Sequence, residues 1–76
     1  MNTVRRRTIG RMKSMAEHTK LQLETVLQEE QDCFDNMPEA LQASDSGLKS
    51  EEAITALEEA ISSLELCIEE LKEITS

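Results

Sequence analysis

The chain has 76 residues, of which 16 are Asp or Glu and 8 are Lys or Arg, so its formal net charge is −8 at pH 7. A chain of this length forms one domain at most and buries only about 60% of its unfolded surface, which leaves stability marginal without partners. It contains one Phe and no Trp or Tyr. The aromatic platforms that bind single-stranded nucleic acid or flat cofactors are therefore missing.

The first predicted helix runs from about residue 3 to residue 34 and contains no proline. Apolar residues recur in it at steps of three and four, as on one face of a helix. This series comprises Ile9, Met12, Ala16, Thr19, Leu23, Val26 and Cys33, with Leu27 and Phe34 one position further along. The predicted core members are Met12, Leu23, Val26 and Leu27. Gly10 costs about 1 kcal/mol relative to alanine inside a helix, so residues 1–9 can fray and the helix can instead begin at Thr8.

Glu30 interrupts the apolar series of the first helix. A polar residue in such a position lowers stability but can fix the register of packing helices. The alternative is that the lower part of this helix faces a turn and not a core.

The predicted linker covers residues 35–45 and contains Pro38, which no helix can pass unbroken. Because proline suits the first position of a helix, we expect a short helical turn over 38–42, capped by Asn36 or Met37. This turn should place Met37 and Leu41 under the end of the hairpin. Ser44, Asp45 and Ser46 are candidate caps for the next helix, and Ser50 is another if Gly47 keeps the chain irregular.

The second long helix is predicted over about 46–74. Its apolar residues follow a heptad, with isoleucine at every a position and leucine at every d position, a pattern typical of helices that pack on helices. These core residues are Ile54, Leu57, Ile61, Leu64, Ile68 and Leu71. The g positions are small or apolar as well, and they are Ala53, Ala60, Cys67 and Ile74. A stripe this wide indicates at least two neighbouring helices.

The predicted fold is therefore all-α, a single domain over 1–76, with an antiparallel two-helix hairpin that associates into a homo-oligomeric helical bundle, dimeric or larger. Charge favours this orientation. Residues 1–20 carry six basic residues against Glu17, a balance of +5, whereas residues 21–76 carry fifteen acids against two lysines, a balance of −13. An antiparallel hairpin sets the basic start of the first helix beside the acidic end of the second, although each exposed pair contributes only about 0–1 kcal/mol.

A basic cluster near the N-terminus is a candidate contact for phosphates or for an acidic partner. It consists of Arg5, Arg6, Arg7, Arg11 and Lys13. The acidic molecule as a whole opposes approach to nucleic acid, so we do not expect direct nucleic-acid binding and favour pairing within the chain or between subunits. Binding of a nucleotide signal in an oligomer pocket is a weaker alternative.

An acidic face of the second helix is the candidate surface for a protein partner. Its members are Glu58, Glu59, Glu65, Leu66 and Glu69. Carboxylates in a row can imitate a phosphate backbone and be captured quickly by a basic groove, although most such runs are only solvated. Leu66, at an outward position, and Met15, beside the apolar stripe, are the apolar residues best placed for a partner.

The sequence offers no positive evidence for an enzyme. His18 has no nucleophile or carboxylate fixed beside it, no phosphate-binding glycine loop is present, and two cysteines with one histidine do not make a zinc site. We expect no cofactor, no metal and no membrane contact, and a cytoplasmic protein with reduced thiols. Cys33 and Cys67 are expected to act as small apolar residues, with a disulfide conceivable if the hairpin brings them together.

Roughly residues 25–70 resemble a group of short acidic helical proteins encoded by bacterial phages and prophages. The most distinctive stretch is Asp35-Asn36-Met37-Pro38-Glu39, accompanied by Glu29-Glu30-Gln31, Gln42, Ser44, Gly47 and Glu51-Glu52-Ala53-Ile54. The resemblance implies a phage context and a host bacterial cytosol, and it implies no activity. We expect a non-enzymatic binding protein that inhibits a host defence or nucleic-acid-processing protein. The alternatives are a self-assembling scaffold or accessory protein, and sequestration of a nucleotide signal.

Overall fold

The protein is a helical hairpin. The computed structural model describes all 76 residues, Met1–Ser76, and contains three helices: α1 (Thr3–Asp35), α2 (Glu39–Gln42) and α3 (Asp45–Thr75). α1 packs along α3, and the single turn of α2 packs against the start of α3. The predicted all-α hairpin with a helical turn in the linker is confirmed.

Two contacts show that α1 and α3 run in opposite directions. Ser50 Oγ donates a hydrogen bond to Glu30 Oε1 at 2.9 Å, and Lys20 Nζ lies 3.6 Å from Glu65 Oε1. Later residues of α1 thus meet earlier residues of α3. The result is a rod of 58 × 14 × 14 Å with a radius of gyration of 17.1 Å. A compact domain of this length would have a radius of gyration of about 11 Å.

α1 begins at Thr3 and continues through Gly10 without a break. Asn2 precedes it in an extended conformation, and its side-chain oxygen accepts a hydrogen bond from the backbone N–H of Arg5 at 2.8 Å. A capping bond of this kind typically contributes about 1 kcal/mol, which offsets the cost of Gly10. The basic segment is therefore helical, and the alternative start at Thr8 is not adopted.

The turn is built around Gln42, whose side chain points inward. Its Nε2 donates a hydrogen bond at 2.9 Å to the backbone carbonyl of Phe34, which also accepts one from the backbone N–H of Met37 at 3.1 Å, so the end of α1 is capped from the turn. Met37 is half-buried as predicted, whereas Leu41 is 43% exposed and the prediction for it is wrong. Leu41 precedes Gln42 by one residue, a rotation of about 100°, so only one of the two can face inward. Pro38 precedes α2 as its cap residue and is not its first helical residue.

α3 begins at Asp45, one residue before the predicted start, and Ser44, one of the predicted caps, is its cap residue. Gly47 and Ser50 are both inside the helix and buried, so the alternative cap at Ser50 is not adopted. A Cβ atom on Gly47 would lie 2.6 Å from Gln42 Cα and closer still to the Gln42 carbonyl, so the absence of a side chain here lets α2 approach α3. Ser50 donates its side-chain hydrogen bond to Glu30 and is therefore not a cap residue. This contact also explains why a polar residue interrupts the apolar series of α1, because Glu30 faces α3.

The core is thin because two helices bury only one stripe each. Ile61 is the one buried hydrophobic residue, at 8% exposure, and no side chain is fully buried. The other five residues of the α3 series are half-buried, and they are Ile54, Leu57, Leu64, Ile68 and Leu71. On α1, Leu23 and Leu27 are half-buried as expected.

Two predicted core residues of α1 lie outside the core. Met12 is 54% exposed and Val26 is 48% exposed. α1 presents a different stripe to α3, in which all members are half-buried: Ile9, Lys13, Ala16, Lys20, Leu23, Leu27, Glu30 and Phe34. This stripe keeps three of the seven residues of the predicted series and replaces Met12, Thr19, Val26 and Cys33 by the residue that follows each of them. The helix is thus rotated so that the stems of Lys13 and Lys20 cover apolar surface of α3.

Candidate interaction surfaces

The acidic candidate surface is fully open to solvent. Glu58, Glu59, Glu65, Leu66 and Glu69 are all exposed. At 100° per residue, Glu58, Glu65 and Glu69 follow one flank of α3, while Glu59 and Leu66 point directly away from α1. Leu66 is 62% exposed, which agrees with its lack of a packing partner in the hairpin.

Only one carboxylate of this surface has a cationic neighbour. Glu65 contacts Lys20, which also lies 3.9 Å from Glu24. No other pair of opposite charges approaches within 4.0 Å, so Glu58, Glu59 and Glu69 carry uncompensated charge. Glu65 therefore contacts α1 as well as belonging to the acidic face.

An open hollow of about 370 Å³ lies on the outer side of α3, at the end nearer the turn. Its lining consists of Leu48, Glu51, Glu52, Thr55, Ala56 and Glu59. Three carboxylates around an apolar floor suit a basic side chain with an aliphatic stem, since the stem can pack while the charged head meets the acids. The hollow extends the acidic face toward the turn, and sequence reasoning missed Leu48 because it falls outside the heptad.

The basic cluster does not form one surface in a single chain. Arg5, Arg6 and Arg7 are consecutive in α1, so their side chains leave the helix about 100° apart. None of them, nor Arg11 or Lys13, lies within 4.0 Å of a carboxylate. The expected pairing with the acidic end of the second helix is therefore limited to Lys20 and Glu65. No single-chain pocket gathers these residues around a phosphate.

A row of small and apolar residues on each helix is left uncovered on the opposite side of the hairpin from Glu65. We call this the open apolar face; it comprises Met12, Thr19, Val26 and Cys33 of α1 and Ala53, Ala60, Cys67 and Ile74 of α3. In an antiparallel hairpin, corresponding flanks of the two helices lie on the same side, so the two rows lie on one side of the hairpin. The Lys20–Glu65 contact lies on the other side. Six of the eight residues are exposed, and Ala53 and Cys67 are half-buried.

The two cysteines are free and far apart. Cys33 lies three residues beyond Glu30 toward the turn, and Cys67 lies two residues beyond Glu65 toward the open end. At 1.5 Å per residue this register separates them by about 30 Å along the rod, whereas a disulfide needs Cα atoms within about 7 Å. A disulfide within the chain is excluded. Cys33 is also exposed, contrary to its predicted place on the packed side.

No group of three or more His, Cys, Asp or Glu side chains is arranged to hold a metal ion. None of the three helices combines the length and the apolar character required to span a membrane. Comparison of the chain with protein-family models, with curated proteins and with solved structures finds no match in any of the three.

Proposed function

We propose that this is a non-enzymatic binding protein of phage or prophage origin, which occupies a basic groove of a host nucleic-acid-processing or defence protein. The observation that carries the proposal is the acidic face of α3, whose carboxylates are exposed and, apart from Glu65, have no cation within 4.0 Å. The residues around Asp35-Asn36-Met37-Pro38-Glu39, which resemble those of short acidic phage proteins, support the origin.

The spacing of charge along α3 is comparable to that of a nucleic-acid strand. Eight glutamates lie between Glu51 and Glu73. At 1.5 Å per residue they span about 33 Å, or one carboxylate per ~4 Å, against one phosphate per ~3.4 Å along a single DNA strand. Successive glutamates are one to six residues apart, so the likeness to a phosphate backbone lies in the mean density of charge along the rod and not in a regular repeat. Association driven in this way is fast and weakens as salt is added.

The test compares two charge reversals of equal size. Glu58→Lys with Glu69→Lys removes carboxylates of the acidic face that have no partner, and Asp32→Lys with Asp35→Lys makes the same change in charge on α1. Linear double-stranded DNA is incubated with bacterial extract, and its degradation is followed with and without each purified protein. We expect the parent and the α1 variant to slow degradation, the α3 variant to fail, and added salt to weaken the inhibition.

Equal inhibition by both variants, or no inhibition by the parent in extracts from several bacterial hosts, counts against mimicry of nucleic acid. Glu65 is left unchanged because its loss would also remove the contact with Lys20. Circular dichroism of each variant checks that the helices remain.

The second candidate function is a self-assembling scaffold or accessory subunit. The open apolar face favours it, since a row of exposed Met, Val, Ile and Cys side chains has no partner in the single chain. We propose that the chain forms a homo-oligomeric bundle under either function. A scaffold should keep its function after charge reversal of Glu58 and Glu69 and should lose it when assembly is prevented. These two responses distinguish the two candidate functions.

A further inference from the structure

We infer that the open apolar face is covered by a second copy of this chain lying head to tail, so that two hairpins form an antiparallel four-helix bundle. This inference rests on the proposal of self-association and adds the face, the partner and the orientation. It concerns the side of the rod opposite the acidic flank of α3, so the two surfaces are available at the same time.

No contact within the hairpin explains why the residues of this face are apolar. Met12 and Val26 are about half exposed although they continue the apolar repeat of α1, and Ile74 is 40% exposed at a g position of α3. The contact with α3 uses the adjacent stripe that includes Lys13 and Lys20. α1 therefore has two packing stripes, and one partner helix can cover only one of them.

The size of the face fits a stable dimer. One side of a 58 × 14 Å rod has an area of roughly 800 Å², which is about the area that each partner contributes to a standard-size protein interface. The alanines on α3 allow the two α3 helices to approach closely. On α1 each larger residue, Met12 or Val26, lies opposite a smaller one, Cys33 or Thr19, and this alternation suits interdigitation across a bundle.

The face is self-complementary about one two-fold axis perpendicular to the rod. On α1 the axis passes midway between residues 22 and 23, so Met12 meets Cys33 of the second copy and Thr19 meets Val26. On α3 it passes midway between residues 56 and 57, which relates Ala53 to Ala60. These two points lie at nearly the same level, because Ser50 bonds Glu30 and residue 22.5 therefore faces about residue 57.5. One axis thus serves both helices, as a two-fold contact requires.

Charge selects the head-to-tail orientation. The half of the rod nearer the turn, residues 23–56, carries nine carboxylates and one lysine, a formal charge of −8. The other half, residues 1–22 and 57–76, carries seven basic residues and seven carboxylates, a charge of 0. Stacking in the same direction would place the two −8 halves together. Head-to-tail stacking places each −8 half against a neutral half and brings the arginines of α1 to carboxylates that they do not reach within one chain.

The face is tested by comparing Val26→Glu with Leu66→Glu. Both side chains are exposed in the single chain and both changes add one negative charge, but only Val26 belongs to the open apolar face. Mass is measured by light scattering during size-exclusion chromatography. We expect the parent and Leu66→Glu to be dimeric and Val26→Glu to be monomeric, with its dissociation constant raised at least ~100-fold because a buried unpaired carboxylate is so costly.

Ala60→Glu provides a second variant on the α3 row. Loss of helix in Val26→Glu and Ala60→Glu, but not in Leu66→Glu, also supports the interface, since a solvent-exposed residue would tolerate the change. A monomeric parent overturns the inference, and so does a dimer that both face variants retain. Neither result affects the DNA-protection test of the acidic face, so failure of that function and failure of this interface are separable.

Orientation is tested with a spin label at Ala40→Cys in a Cys33→Ser, Cys67→Ser background. Ala40 is exposed at the turn end of the rod. Head-to-tail stacking places the two labels roughly 45 Å apart at 1.5 Å per residue from the axis. Stacking in the same direction would place them within ~20 Å, given helix spacings of about 8–10 Å. A short distance in a dimeric sample overturns the head-to-tail arrangement.

Discussion

Replacing Gly47 by alanine should destabilise the hairpin, while the same replacement at Gly10 should stabilise it. A Cβ atom on Gly47 would overlap the backbone of Gln42, at 2.6 Å from its Cα and nearer to its carbonyl group. Backbone atoms cannot rotate away, so α2 must move off α3. That movement also strains the hydrogen bond from Gln42 Nε2 to the Phe34 carbonyl. At Gly10 nothing lies within 4 Å of the added atom.

The two substitutions differ in the collision and in helix position, since Gly10 lies in the interior of α1 and Gly47 in the first turn of α3. Alanine gains up to about 1 kcal/mol over glycine in a helix interior, and less in a first turn. Forcing an extra methyl group into a closely packed site costs about 1–3 kcal/mol. Gly47→Ala should therefore lose about 1–2 kcal/mol of folding free energy, and Gly10→Ala should gain about 0.5–1 kcal/mol. For a chain of this size 1 kcal/mol shifts the melting temperature by about 4–8 °C.

The assay is thermal unfolding followed by circular dichroism at 222 nm. All proteins are compared at one concentration, because self-association makes the melting temperature depend on concentration. The expected order is Gly47→Ala below the parent and Gly10→Ala above it. A Gly47→Ala protein that melts at or above the parent temperature would refute the close approach of α2 to α3.

Three further predictions concern the packing between α1 and α3. Ile61→Ala should cost about 2–4 kcal/mol in urea unfolding because it removes the most buried side chain, whereas Leu66→Ala should stay within ~0.5 kcal/mol; equal effects would place the core elsewhere. Ser50→Ala should cost about 1 kcal/mol and show coupling with Glu30→Ala in a double-mutant cycle, while additive effects would mean that the hydrogen bond contributes nothing. Lys20→Met should change stability by less than ~1 kcal/mol, and a larger loss that persists in high salt would contradict an exposed ion pair.

The long helices and their antiparallel pairing could be predicted from the sequence because both depend on local signals. The heptad of isoleucine and leucine in α3 predicts a helix that packs on another helix along this stripe, and these residues do face α1. Pro38 similarly breaks the chain at one place. These features require no knowledge of the partner helix, since periodicity and proline act within a few residues.

The rotation of α1 could not be predicted, because its apolar arc is wider than one contact. The series that includes Met12 and Val26 is the more apolar choice, yet the structure places Lys13 and Lys20 at the contact instead. An aliphatic lysine stem can cover apolar surface as a shorter apolar residue does, so composition does not separate the two stripes. The hydrogen bond between Glu30 and Ser50 fixes the rotation of α1, because it forms only when the stripe that contains the lysines faces α3. The two residues are 20 positions apart, so no local pattern in the sequence predicts the bond.

The antiparallel hairpin separates two kinds of surface that a single helix would present together. Glu58 and Glu65 follow one flank of α3, and Ala60 and Cys67 follow the other. A second copy on the open apolar face would therefore leave the acidic flanks free, and a two-fold axis would turn them to opposite sides of the bundle. A dimer of this form has two equivalent acidic surfaces about one bundle width apart. If a partner carries two basic grooves at a matching distance, simultaneous engagement raises the apparent affinity without any new contact. Disrupting assembly with Val26→Glu should then weaken binding to such a partner while leaving each acidic flank intact.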